Sequence, residues 1–135
     1  MKRLSFCCFL PALLFLVIQS SLVLAAVSDQ QMPASSTLYH QAAIEAIKNH
    51  DMKTAVSLLA SSISQNPRDA LAYHLLVTAL KAQKAYRDIV KLIPEAEVFG
   101  VRSLQLYQDQ AEAAFLIGSD DDVMFALAEM EKMVQ

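Results

Sequence analysis

The chain has 135 residues, only two Gly, two Cys and a formal charge of −3, which leaves room for one small domain. Its 11 Lys and Arg are scattered rather than clustered, so a nucleic-acid face is excluded. With glycine only at Gly100 and Gly118, a glycine-rich phosphate loop is excluded as well.

Met1-Lys2-Arg3 gives a basic start, and residues 4–26 carry no charge. This apolar stretch is interrupted by Pro11 and by Gln19-Ser20-Ser21, and it closes on Val23-Leu24-Ala25-Ala26. A basic start, an apolar segment and a small-residue end predict a signal peptide over 1–26, cleaved after Ala25 or Ala26. The alternative is an uncleaved anchor formed by residues 4–26, since about 20 apolar residues span a bilayer as a helix. Cys7 and Cys8 do not read as a lipid-attachment site, because Phe6 is too large for the small position that must precede the modified cysteine. On cleavage the mature chain loses both cysteines, Lys2 and Arg3, and its 9 remaining basic residues face 14 acidic ones. Such a chain has no disulfide and no cysteine metal site, so its stability rests on packing. The predicted location is periplasmic or secreted.

Residues 27–36, rich in Ser, Gln and Ala around Pro33, read as a solvated linker. From Thr37 to the end, Ala, Leu, Gln, Lys and Glu dominate, and apolar residues recur at helical spacing without strand-like alternation. The predicted class is all-α. Self-similarity supplies the organisation: Tyr39, Tyr73 and Tyr107 lie 34 residues apart, and the same shift superposes Ala43, Val77 and Ala111, then Ala46, Leu80 and Ala114. It also superposes Ala55, Ile89 and Val123; Leu59, Ile93 and Leu127; and Ser62, Ala96 and Met130. Turns fall within each unit at Asn49-His50-Asp51, Gln83-Lys84 and Gly118-Ser119. The units run over about 36–69, 70–103 and 104–135. Asp69 and Ser103 are predicted helix caps, and Ser119 with Asp122 has capping-box spacing. Pro94 falls inside the second helix of the middle unit, where it predicts a kink or break.

On these residues the chain resembles the tetratricopeptide repeat (TPR) family, a helix pair with an early aromatic, small residues at the helix crossing and a closing Pro. The first unit fits best, with Tyr39, Ala42, Ala43, Ala46, Ala55, Leu59, Ser62 and Asn66-Pro67. In the second, Val101 stands at the closing Pro position; in the third, Gln110 replaces a large apolar residue. The resemblance implies a right-handed superhelical solenoid over 37–135 that binds another protein or peptide in its concave groove. Groove positions in that frame are Thr37, His40, Ile44 and Ile47; Leu71, His74, Thr78 and Lys81; and Gln105, Gln108, Glu112 and Phe115. Members that grip a C-terminal carboxylate use a Lys, Asn and Arg clamp; here those places hold His40, Ile44, Leu75, Gln105 and Asp109, so that activity is not implied.

His40 and His74 occupy one register, which raises a metal-binding or pH-sensing pair beside the plainer reading of two polar groove residues. No nucleophile elbow or zinc-ligand spacing is present, and no enzyme, metal or cofactor is predicted. The last helix offers an apolar stripe of Met124, Phe125, Leu127, Met130, Met133 and Val134, with no further helix in the sequence to cover it. Met124, Met130, Met133 and Val134 are therefore an expected assembly surface, for a homo-oligomer or a larger assembly.

Overall fold

A computed structural model describes residues 34–135; the signal peptide expected at 1–26 and most of the expected linker lie outside the described residues. The described chain is all-helical, with α1 Ala34–Lys48, α2 Met52–Gln65, α3 Ala70–Ala82, α4 Tyr86–Val98, α5 Leu104–Ile117 and α6 Asp120–Val134. Residues 34–36, expected in the linker, belong to α1, and the Ser36 side chain is buried. The composition of this stretch, Ala and Ser after a proline, does not distinguish a linker from a first helical turn.

The 34-residue spacing governs the backbone. The second helix of each pair starts at Met52, Tyr86 and Asp120, and α3 and α5 start at Ala70 and Leu104. Each pair turns on a left-handed residue at one register, His50, Lys84 and Gly118, with φ of 60°, 58° and 75°. The hydrogen bonds of these turns repeat too. The Asp51, Ala85 and Ser119 amides donate to the Ala46, Leu80 and Ala114 carbonyls at 2.8, 2.9 and 2.9 Å. One residue earlier, the His50, Lys84 and Gly118 amides donate to the Ile47, Lys81 and Phe115 carbonyls at 3.0, 3.0 and 3.1 Å. This is the Schellman arrangement, which satisfies carbonyls that a helix end leaves open. The α4–α5 connection uses it as well, with Gly100 at φ 80°.

Caps start the next helices. Asp51, Asp69 and Ser103 accept the Thr54, Ala72 and Leu106 amides at 3.2, 3.3 and 3.3 Å. Ser119 departs from the expected capping box, because its hydroxyl donates to the Asp122 carboxylate and accepts no backbone amide. Asp120, Asp121 and Asp122 still place negative charge against the positive end of α6. Pro94 does not break α4, which runs unbroken to Val98. It stands near the helix end with its ring exposed, and it removes one amide bond to the preceding turn.

One core runs through the described helices. It holds Ala43, Leu59, Tyr73, Val77, Ile89, Ile93, Tyr107 and Ala114, with Val123 and Met130 of α6 packed against it. A smaller cluster of Ala46, Ala55 and Ala79 marks where α1, α2 and α3 meet closely. Alanine at such crossings lets backbones approach, which is why the small residues repeat with the same register as the large ones.

Candidate functional site

The site expected from the sequence lies on α1, α3 and α5, the first helices of the three pairs. Thr37, Ile44, Leu71, Thr78, Gln105, Gln108, Glu112 and Phe115 are exposed there, with Leu71 at 51% and Phe115 at 76%. Ile47 is half-buried against the alanine cluster. Lys81 is half-buried and tied down: its ammonium donates to Asp109 at 3.0 Å and Glu112 at 2.5 Å. These bonds join α3 to α5, and the Glu112 contact, followed by that to Asp109, raises the Lys81 pKa above its ordinary value. Gln105 donates to the other Asp109 oxygen at 3.4 Å. The centre of the face is therefore a bonded polar network of one lysine and two carboxylates, with exposed apolar side chains to either side.

His40 is not a groove residue. It is 5% exposed, with Nε2 at 2.8 Å from the buried carboxylate of Asp69, close enough for an ion pair though not aligned as a hydrogen bond. His74, one register on, is half-buried with Nε2 at 3.3 Å from the Ser103 hydroxyl. The two contacts are one device repeated: Asp69 caps α3 and Ser103 caps α5, and each histidine braces the cap of the next first helix. The histidines thus face different partners rather than each other, and among the described residues no cluster of three His, Cys, Asp or Glu is placed to hold a metal. The Ser103 hydroxyl thus has two contacts, the His74 imidazole at 3.3 Å and the Leu106 amide whose hydrogen bond it accepts.

Other polar groups were not legible as site residues. Buried Glu129 of α6 takes ion pairs from Arg102 and Lys132, while Arg102 also bonds Glu97 at 2.9 Å and the Tyr107 hydroxyl at 3.2 Å. The Lys132 bond, then the nearby charges of Lys132 and Arg102, hold the Glu129 carboxyl below the usual carboxylate range. The buried amide of Gln110 has neither Nε2 nor Oε1 bonded to a protein group. No family model, no curated protein and no solved structure matches the chain.

Away from this face, a shallow cleft of about 270 Å³ opens between α2 and α4, floored by Leu76 and Leu80 and edged by Asp88, Lys91 and Glu95. None of the twelve expected groove residues lines it. Of the expected assembly surface, Met124, Met133 and Val134 are exposed, whereas Met130 is half-buried against the core. Met130 is thus a packing residue, because its register is that of buried Ser62 and Ala96. Among the described residues no helix is long and apolar enough to cross a membrane.

Proposed function

We propose that the protein is a non-enzymatic protein-binding module, an exported TPR-like solenoid of three helix pairs. It holds a segment of another protein against the exposed face of α1, α3 and α5. The fold part of this reading rests on the common register of helix starts, left-handed turn residues and turn hydrogen bonds. The functional part is carried by one observation. Ile44, Leu71 and Phe115 stay exposed on the same helices that bury Ala43, Tyr73 and Ala114. Apolar side chains left open around a bonded polar centre suit a segment that inserts a few apolar anchors between hydrogen bonds.

The test is capture of envelope or culture proteins on the immobilised protein, wild type against Ile44→Glu/Leu71→Glu. Both positions are exposed, so the fold is expected to survive, as checked by helical circular dichroism. A bound protein lost on substitution supports the reading; a bound protein indifferent to it removes the face as the binding site. N-terminal sequencing of the protein recovered from its host decides between cleavage near Ala26 and an intact anchor.

A further inference from the structure

The cleft between α2 and α4 is bounded by three consecutive helices, with α3 as its floor, so it owes nothing to where the chain ends. Leu76 and Leu80 of the floor are buried, Val56 and Leu92 of the walls are half-buried, and Asp88, Lys91 and Glu95 stand exposed along the α4 rim. Asp88 lies in the first turn of α4, where a carboxylate suits the helix dipole. Glu95 has no such reason. It sits near the other end of α4, where the dipole disfavours negative charge and the last turn holds no basic residue. Among the described residues it forms no ion pair. Lys91 precedes it by four residues on the same helix, the less favourable order for such a pair.

The chain itself shows what a carboxylate at this register binds. One repeat on, Glu129 takes the Arg102 guanidinium, which also donates to the Tyr107 hydroxyl at 3.2 Å. Shifted back by one repeat, Glu129, Arg102 and Tyr107 become Glu95, Arg68 and Tyr73. Burial, then the charge of Glu95, raises the Tyr73 pKa, so carboxylate and phenol stand near each other here too. The cation is not brought to them. Arg68 is exposed and its guanidinium makes no ion pair. Its backbone amide donates to Asn66 Oδ1 at 3.3 Å in an Asn66-Pro67 turn, whereas Arg102 follows the left-handed Gly100. Among the described residues nothing bonds the Tyr73 hydroxyl either.

We propose that the α2–α4 cleft receives one arginine side chain of a partner protein, its aliphatic stem lying on Leu76 and Leu80 and its guanidinium at the Glu95 carboxylate beside the Tyr73 hydroxyl. Arginine suits the place better than lysine, because its planar fork serves a carboxylate and a hydroxyl at once, as Arg102 does, while its stem covers apolar surface. A protein is the better source than a free small molecule: the cleft is shallow, and its volume of about 270 Å³ lies below the range of about 300–1,000 Å³ that small-molecule pockets occupy. The site is separate from the face of α1, α3 and α5 proposed above, so either assignment stands or falls without the other.

Blocked tripeptides with alanine at both ends and arginine, lysine or citrulline, the uncharged isostere of arginine, in the middle test it. Each is titrated into isotope-labelled protein recovered from a secreting host, and binding is read from backbone amide shifts. The arginine peptide is expected to give saturable shifts at Leu76, Leu80, Leu92 and Glu95, with the other two peptides at least about tenfold weaker. Glu95→Gln, at an exposed position where the fold is expected to survive, should weaken the arginine peptide by a similar factor, while Leu71→Glu leaves it unchanged. No saturable shift, equal binding of the lysine or citrulline peptide, or indifference to Glu95→Gln overturns the proposal. So does tighter binding to Arg68→Gln, which would assign Glu95 to the chain's own arginine.

Discussion

His40 and Gln110 are both buried polar residues, and they do opposite things to stability. The imidazole Nε2 of His40 lies 2.8 Å from the Asp69 carboxylate in a place where both side chains are less than one-tenth exposed. His40→Ala leaves that carboxylate buried without its partner, with an expected loss of about 2–3 kcal/mol. His74→Ala removes only a contact to a half-buried hydroxyl and should cost about 1 kcal/mol. Urea denaturation of both variants checks the order, and equal losses would refute the reading of His40 as the partner of a buried carboxylate. Gln110 has the contrary sign. Its register is that of buried Leu76, and its amide is buried with no protein group to bond. Gln110→Leu keeps the volume, removes two unmet polar atoms and is expected to raise stability by about 1–2 kcal/mol. A lower urea midpoint for this variant would mean that the amide has a partner, such as a bound water, that its apolar surroundings conceal. The oddity of Gln110 was visible in the sequence as a break in an apolar register, but its burial was not. Similarly, the sequence places His40 and His74 at one register and the caps Asp69 and Ser103 at another. That each histidine reaches its cap follows only from how consecutive pairs stack, because the two registers lie on different helices.

At the scale of the helix, the four turns share one hydrogen-bonding scheme and differ in the residue asked to adopt positive φ. Glycine does so freely at Gly100 and Gly118, whereas His50 and Lys84 must place a Cβ in the left-handed region. Lys84→Gly should therefore stabilise the protein by about 1 kcal/mol, and Gly118→Ala should destabilise it by a similar amount. Space plays no part at Gly118, since a Cβ added there meets nothing within 4 Å. Thermal melts of the two variants measure the pair, and shifts of the same sign would contradict the turn geometry. The turns were well legible in the sequence: Gln83-Lys84 and Gly118-Ser119 bracket the left-handed residues, and Asp69 and Ser103 cap as their types predict. The break expected at Pro94 does not occur, since α4 reaches Val98 as one helix. The start of α1 was hidden because a polar, small-residue stretch contains no apolar period to mark the helix, yet Ser36 is buried within it.

Among the described residues the helices are joined by packing between sequence neighbours, and ion pairs of Lys81 and of Arg102 reach further. Lys81 links α3 to Asp109 and Glu112 of α5, and Arg102 links the α4–α5 connection to Glu129 of α6. In a fold whose contacts are mainly between neighbours, α6 can open without the earlier helices opening with it. The Glu129 clip is therefore where acid should act. Glu129 titrates below its ordinary value when folded, so its contribution is fully present above the unfolded carboxyl pKa of about 4.3 and is lost as pH falls through the lowered folded value. Lys81 runs the other way: its folded pKa is raised, so its contribution is complete below about 10.4 and disappears as pH climbs through the raised value. Between those limits both clips hold. Hydrogen exchange at pH values descending from about 6 to about 3 is the measurement, with rates corrected for intrinsic chemistry. Protection in α6 is expected to fall at the acid end before protection in α3 does, and Glu129→Gln should show low α6 protection already at pH 6 with a flattened pH response. Uniform loss along the chain would place the acid sensitivity elsewhere.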